Sequence, residues 1–291
     1  MSSPFIPFVV RNYAETRRRY PTEGRRRWKL RVAQQFWAAV GSGGAVYQPA
    51  GDVFDSQGAL PELTSTAESD SDSDSLDGVQ TRDAPELGLI VRTDFSDEPS
   101  WAAFCTHLQD SEQEFVLGNV DVDENASKQP DGIDDGGQDD SEDEDDPPAI
   151  FRIINPSSPQ ERELLANISN LAALRLLNDV DVRSSPIPPQ GAKRIDPPNR
   201  LVDYCGWQEF YRGKNVWIYD TKSNTDQCVR VVSQSGDMYG TATGDSWRAR
   251  VPYICELQVN LSSGAMRIDF GGLDRWDFNE RRRNMMEAEG E

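Results

Sequence analysis

The sequence predicts a single α+β domain with a β-rich C-terminal half, a disordered N-terminal region and a disordered acidic insert. Helical and strand patterns alternate without a regular β-α-β rhythm, which favours α+β over a doubly wound sheet. Residues 1–85 and 121–148 contain few apolar runs. Roughly 170–180 of the 291 residues remain, which is enough to bury one core. We therefore expect a domain at 86–286, interrupted at 121–148 and followed by a tail at 287–291.

We interpret residues 1–85 as a basic arm followed by a Ser/Asp-rich linker, and we expect a helix near 28–40. Nine Arg or Lys residues lie between positions 11 and 31, against two acids. Two Arg triplets five residues apart are typical of a bipartite nuclear-import signal or an anion-binding arm. The candidate residues of this arm are Arg17, Arg18, Arg19, Arg25, Arg26, Arg27 and Lys29.

Two acidic tracts dominate the charge of the chain, which is −20 overall. Residues 131–146 carry ten acids and no base, and a second tract lies at 62–77. Such tracts repel themselves and have little to bury, so we expect disorder. The alternative is that they attract a basic partner protein. Four serines with an acid three residues downstream are predicted phosphorylation sites: Ser65, Ser69, Ser71 and Ser141.

The folded pattern starts with an apolar run at 87–91, a predicted buried strand. Ser96 is the expected helix cap, and Trp101, Phe104, Cys105 and Leu108 then fall on one helix face. The run at 115–120 is predicted to be a second strand.

Beyond the insert, residues 149–154 predict a strand and Ser158 opens a capping box with Glu161. We expect that helix to continue to Leu176, followed by a short strand around Val180. Two hairpins are predicted, one from 216–219 and 228–232, the other from 253–261 and 266–270. A short helix at about 277–286 closes the domain.

The segment Leu89–Asp97 (LIVRTDFSD), followed by Trp101, resembles the opening of a domain family of unknown function from bacterial and fungal proteins. Asn260-Leu261 and Asp269-Phe270 are similar to the ending of that family. The opening match covers about a dozen residues. The resemblance implies no activity, because the family has no assigned chemistry.

Few residues suggest catalysis. His107 is the only histidine, and we expect it to be exposed on the helix that carries Trp101. The four scattered cysteines lack metal-site spacing, so we expect free thiols and no cofactor. Asp203, Asp220 and Lys222 resemble the acid and D-x-K pattern of metal-dependent nucleases. A polar turn that closes a hairpin is the favoured explanation of Asp220 and Lys222, and in that case Asp203 lies well away from them.

The sequence therefore favours a non-enzymatic interaction or adaptor protein, with the basic arm and acidic tracts making regulated electrostatic contacts. The alternative is a metal-dependent nuclease-like or other hydrolytic enzyme that uses Asp203, Asp220 and Lys222. We expect a protein partner, with a basic protein as one candidate, and we expect nucleic acid to bind only through the basic arm. No apolar run is long enough to span a membrane, and we expect a nuclear or cytoplasmic protein.

Overall fold

The computed structural model describes residues 4–42, 86–123, 149–270 and 277–290. Its helices and strands follow one another along the chain in this order: α1 (Phe5–Arg19), α2 (Arg25–Gly41), β1 (Gly88–Arg92), α3 (Glu98–Asp123), β2 (Phe151–Ile154), α4 (Pro159–Leu165), α5 (Asn170–Leu177), β3 (Asp179–Ser184), β4 (Trp207–Arg212), β5 (Asn215–Tyr219), α6 (Ser223–Asp226), β6 (Cys228–Val232), β7 (Ser246–Arg250), a 3₁₀ turn (Val251–Tyr253), α7 (Ile254–Ser263) and α8 (Phe278–Glu289).

The α+β prediction is confirmed. Five strands form a mixed sheet in the order β2-β1-β5-β6-β7, and β3 pairs with β4 in a separate two-stranded sheet. β1 runs parallel to both β2 and β5, whereas β6 and β7 continue the sheet antiparallel. The carboxyl ends of β1 and β5 therefore lie side by side at one edge of the sheet.

Helices cover both faces of the large sheet because its central strands are apolar on both sides. On β5, Val216 and Ile218 face a core shared with α1, α2, α5 and the small sheet. Trp217 and Tyr219 face the other core, together with α3 and α7. This division follows from the alternation of side chains along a strand.

The expected disordered arm is wrong for residues 4–42, which form the two helices α1 and α2. Phe5 and Val9 on α1, and Val32 and Phe36 on α2, recur at a spacing of four residues and are buried in the domain core. That spacing places each pair on one helix face. The expected helix near 28–40 is thus α2, which begins at Arg25. Residues 43–85 lie outside the described part of the chain.

The acidic insert also falls mostly outside the described residues, which leave out 124–148. The predicted strand at 115–120 is wrong, because α3 continues through it to Asp123. Glu112 accepts hydrogen bonds from the backbone N–H groups of Ile150 and Phe151, both at 3.0 Å. The helix is therefore fastened beside the start of β2.

Two further elements differ from expectation. The helix that opens at Ser158 stops at Leu165, because Asn167 adopts a left-handed backbone (φ 50°) and Ser169 caps a new helix by accepting from Ala172 N–H. The predicted strand at 253–261 is helix α7. Its buried residues Ile254, Cys255 and Gln258 share one helix face. A left-handed Gly264 ends it, as is common at helix C-termini.

The predicted strand at 266–270 is wrong as well, since these residues form no strand and the second hairpin is absent. The remaining predicted elements are confirmed. They are the strand at 87–91, the strand at 149–154, the capping box of Ser158 with Glu161, the short strand around Val180, the first hairpin and the closing helix, which extends to Glu289. The cap of α3 is Asp97 rather than Ser96, since Ser100 N–H donates to the Asp97 carboxylate.

Candidate functional site

The helical hairpin α1–α2 carries most of the positive charge that the sequence concentrates near its start. Residues 1–42 hold nine bases and two acids, a balance of +7. Because the whole chain carries −20, residues 43–291 carry −27. Arg17, Arg18 and Arg19 end α1 at the closed end of this hairpin, and all three are exposed. We call these three residues the hairpin end.

Several other arm residues hold the hairpin in place. Arg25 and Lys29 both pair with Asp179 at the start of β3, at 2.8 and 3.6 Å. Arg26 is buried, with 2% of its surface exposed. The predicted arm therefore separates into residues that anchor the helices and residues that face solvent, and Arg27 belongs to the second group.

Arg31 and Glu23 form a bidentate ion pair at the turn between the two helices, and the guanidinium lies 3.7 Å from the centre of the Tyr20 ring. The hydrogen bond from Arg31 holds the pKa of Glu23 below its ordinary value, and the same bond raises the pKa of Arg31. This pairing makes the turn a defined structure and fixes the direction in which the hairpin end projects.

Of the three predicted catalytic residues, Asp203 lies in the loop before β4 and is 3% exposed. Both of its carboxylate oxygens accept from Arg194 at 2.9 Å, and one also accepts from Gly206 N–H at 2.7 Å. The backbone of Asp203 pairs with Asn199. Asp203 therefore shapes its own loop.

Asp220 follows β5 and has a different set of partners. Arg248 donates to both carboxylate oxygens at 2.7 and 2.8 Å, and Arg230 lies 3.3 Å away. Burial by itself would raise the pKa of Asp220, but the bonds from Arg248 and the charges of both arginines outweigh it and the pKa is lowered. Asp220 also caps the turn by accepting from Ser223 N–H.

Lys222 is exposed on that turn. Within the described residues, no group of three or more His, Cys, Asp or Glu side chains is arranged to hold a metal ion. The structure thus gives Asp203 and Asp220 separate arginine partners and leaves Lys222 in solvent.

The carboxyl edge of β1 and β5 contains a polar cluster that includes the VRTDFSD motif. Asp94 accepts from Ser96, from the Thr221 hydroxyl at 2.7 Å and from Asn224 at 2.9 Å. Although partial burial opposes ionisation, these bonds lower the pKa of Asp94 to about 2. The partners of Asp94 after β5 could not be predicted from local spacing, because Thr221 and Asn224 are more than 120 residues away in the sequence.

Arg92 lies beside this cluster and is fully buried. Its guanidinium lies 5.1 Å from the Phe95 ring and 4.8 Å from the Trp101 ring, and it donates to Glu98 at 2.9 Å. Such aromatic contacts favour a cation. The motif that carries the family resemblance therefore builds the packing at this edge of the sheet.

The remaining candidate residues are His107, the four cysteines and the predicted phosphorylation sites. His107 is exposed, and the four cysteines are free, with Cys255 buried and Cys205 exposed. In the loop between β6 and β7, a Cβ at Gly236 would clash with the backbone oxygen of Thr241, so a larger residue does not fit. The predicted phosphorylation sites Ser65, Ser69, Ser71 and Ser141 lie outside the described residues.

No helix in the described part of the chain is long and apolar enough to cross a membrane. The chain matches no family model, no curated protein and no solved structure.

Proposed function

We propose that this chain is a non-enzymatic interaction protein of the adaptor type, which binds an acidic partner protein through the basic hairpin end. The observation that carries the proposal is the separation of charge: +7 on a folded helical hairpin, against −27 in the rest of the chain. Because the hairpin is held on the core by Phe36 and by the Arg25–Asp179 pair, its exposed arginines keep a fixed arrangement. A fixed arrangement lowers the entropy lost on binding.

An acidic polypeptide suits this surface better than a nucleic acid. Duplex DNA carries one charge per about 1.7 Å of its axis, so a bound duplex extends past the hairpin and meets the repulsion of the acidic remainder. A partner protein can limit its acidic residues to the size of the hairpin end. The burial of Arg26 also makes the second Arg triplet only partly accessible, which weakens the import-signal interpretation. Nuclear or cytoplasmic location stays an expectation.

The acidic tracts extend the proposal to a second, basic partner. Tracts 62–77 and 131–146 supply sixteen of the fifty acids, and phosphorylation of Ser65, Ser69, Ser71 or Ser141 adds about −1.5 to −2 charges each. An adaptor of this kind joins partners of opposite charge, with phosphate strengthening one of the two contacts. The enzymatic alternative gains no support from the separate arginine partners of Asp203 and Asp220.

The test compares two triple variants of the full chain for binding to fluorescently labelled polyglutamate. R17Q/R18Q/R19Q removes the hairpin end, and R152Q/R250Q/R267Q removes three exposed arginines elsewhere. We expect the first to weaken binding at least about tenfold, or 1.4 kcal/mol, and the second to bind like the wild type. Equal loss in both variants, or tighter binding of a DNA duplex than of polyglutamate, would contradict the proposal.

A further inference from the structure

A cavity of about 230 Å³ lies between the C-terminal end of α2, the loop before β4 and the end of α8. Its apolar walls are formed by Trp37 and Ala38 of α2, Pro198 and Tyr204 of the loop, and Ala288 of α8. An apolar cavity of about 150 Å³ is enough to bind benzene. This cavity therefore has room for a small ring that carries a further group.

The indole of Trp37 brings an unused hydrogen-bond donor to the wall of this cavity. Trp37 is 7% exposed, and its Nε1 has no hydrogen-bond partner in the part of the chain that the structure describes. Buried tryptophans usually find an acceptor for this group. Trp28 donates to the Tyr20 carbonyl at 2.7 Å. Trp217 donates to Gln258, also at 2.7 Å. Because an unpaired buried donor is unfavourable, the site suits a ligand that supplies an acceptor.

The second ring of the cavity belongs to Tyr204. Its centroid lies 5.8 Å from that of the Trp37 ring, with the two planes at 76°. Backbone hydrogen bonds in both directions join Tyr204 to Trp207 and fix the loop that carries this ring. Asn199 fastens the same loop to α8 by donating to the Glu289 carboxylate at 3.2 Å. The two rings are therefore held in place without a ligand.

The charged and polar groups of the cavity already have partners. Arg200 is buried, with its Nε 3.3 Å from the Glu209 carboxylate. Glu289 is exposed and accepts from Asn199. The amide oxygen of Asn199 accepts from a backbone N–H of its own loop. The cavity therefore suits an uncharged ligand, whose buried end needs an acceptor for Trp37 rather than a donor.

From this combination we infer that the cavity binds an uncharged tertiary amide. The apolar ring of the ligand packs against Trp37 and Tyr204, and its carbonyl accepts from Trp37 Nε1. A prolyl residue in a polypeptide has this chemistry, because its amide nitrogen carries no hydrogen. Proline-rich segments also dock on sites lined by aromatic rings. A free lactam without an N–H group has the same chemistry, and the experiment distinguishes the two sources.

This site goes beyond the proposed function, because it uses none of the arginines of the hairpin end. It gives the chain a second kind of ligand, recognised by ring packing and one hydrogen bond rather than by charge.

The experiment uses the full chain labelled with ¹⁵N at tryptophan, so that each indole N–H gives its own NMR signal. Three probes are titrated: hexaproline, hexaalanine, and N-methylpyrrolidone, a lactam without an N–H group. W37F identifies the Trp37 signal. The assigned signals of Trp28 and Trp217, whose indoles already have acceptors, are internal controls.

We expect hexaproline and N-methylpyrrolidone to move the Trp37 signal downfield, because its proton gains a hydrogen bond, and to leave the Trp28 and Trp217 signals unchanged. Hexaalanine, which lacks the ring, should bind at least about tenfold more weakly than hexaproline. A38F places a ring in the cavity and should weaken hexaproline binding at least about tenfold. A14F, at an exposed alanine of α1, is its matched control and should bind like the wild type. Thermal unfolding checks that each variant is folded.

The inference is overturned if no probe moves the Trp37 signal, if hexaalanine binds as tightly as hexaproline, or if A38F and A14F bind alike. Tighter binding of hexaproline than of N-methylpyrrolidone assigns the cavity to a proline-containing polypeptide, and the reverse order assigns it to a free lactam. R17Q/R18Q/R19Q should bind hexaproline like the wild type. A failure of polyglutamate binding therefore contradicts the proposed function alone, and an unmoved Trp37 signal contradicts this inference alone.

Discussion

The Thr221 hydroxyl donates a 2.7 Å hydrogen bond to the Asp94 carboxylate, 127 residues earlier in the sequence. This hydrogen bond joins the loop after β1 to the turn after β5. It lies just past the last paired residues of the two strands, Arg92 and Tyr219. Thr93 strengthens the same junction by donating both its N–H and its hydroxyl to the Tyr219 carbonyl. The two central parallel strands are therefore fastened at the edge that contains the VRTDFSD motif.

The first prediction concerns the pH dependence of this junction. The pKa of Asp94 is about 2 in the folded chain against 3.8 for the ordinary group. A lowered folded-state pKa contributes stability that is present above the ordinary pKa and is lost as pH falls through the folded value. We expect D94N to lower the free energy of unfolding by about 1 kcal/mol at pH 7, and the difference from wild type to shrink between about pH 4 and pH 2.

Urea unfolding of wild type and D94N across that pH range measures the effect. T221V is the matched variant, since it removes the long-range donor and keeps the side-chain shape. A difference between D94N and wild type that stays constant down to pH 2 would contradict the assignment to the ionised carboxylate.

The second prediction is that the basic hairpin is part of the folded domain. Phe36 is completely buried and makes edge-on ring contacts with Phe5 at 5.4 Å and Trp37 at 5.3 Å. Phe36→Ala is expected to cost about 3–5 kcal/mol, the usual result of deleting a large buried side chain. V10A, on the exposed side of α1, should cost less than about 0.5 kcal/mol. Equal thermal midpoints for the two variants would mean that the hairpin folds separately from the core.

Local patterns predicted the central sheet and several helices well. The runs around Leu89 and Val216 are apolar on both sides, as strands buried on two faces must be. The box of Ser158 with Glu161 predicts a helix start from four residues. Some apolar patterns suit both a strand and a helix, and tertiary contacts then decide between the two. The apolar residues of 253–261 suit a strand, but this segment forms a helix that buries Ile254 and Gln258 on one face.

Charge concealed the apolar face of α1. The helix near 28–40, with Val32 and Phe36, was expected, but the Arg triplets dominated the interpretation of the preceding residues, and the burial of Phe5 and Val9 on α1 was not predicted. β4 and β7 were also missed, because β4 contains the buried Glu209 and β7 contains Arg248, whose side chain is only 7% exposed. Those charges are neutralised by partners from distant segments, such as Arg200 for Glu209 at 3.3 Å.

The third prediction tests the aromatic side of α3. Trp101 is 5% exposed, and its ring lies 4.8 Å from that of Tyr219 and 5.6 Å from that of Phe104. We expect Trp101→Ala to lower the free energy of unfolding by about 3–5 kcal/mol. Leu164→Ala, at an exposed apolar position, is the control and should cost less than about 0.5 kcal/mol. If the Trp101 variant keeps wild-type stability but no longer binds labelled polyglutamate, Trp101 is instead a residue that anchors a partner.

The fourth prediction follows from the composition of the acidic insert. Residues 131–146 have almost nothing apolar to bury. Replacing residues 124–147 by a short Gly/Ser linker should leave the thermal midpoint within a few degrees of wild type. Each doubling of loop length changes the free energy of loop closure by only about 0.6 kcal/mol. A fall of many degrees would show that the segment packs on the domain.

The last prediction asks whether Asp220 has a structural or a catalytic role. The two roles predict opposite signs for the change in the free energy of unfolding when Asp220 is neutralised. Arg230 and Arg248 lie directly opposite each other on β6 and β7, and their side chains are only 9% and 7% exposed. Like charges in opposed positions repel, and Asp220 contacts both guanidinium groups.

Removing one partner from a buried ion pair costs about 3–5 kcal/mol. Asp226 and Glu280 also lie near these arginines, so we expect D220N to cost about 3 kcal/mol, at the lower end of that range. D226N, whose carboxylate is 40% exposed, should cost about 1 kcal/mol or less. A metal site lacking its metal behaves in the opposite way, since neutralising one of its carboxylates relieves repulsion. Stabilisation by D220N, together with a rise in the wild-type midpoint on adding Mg²⁺, would therefore restore the nuclease-like hypothesis, whereas destabilisation without a Mg²⁺ response assigns Asp220 to the arginine pair.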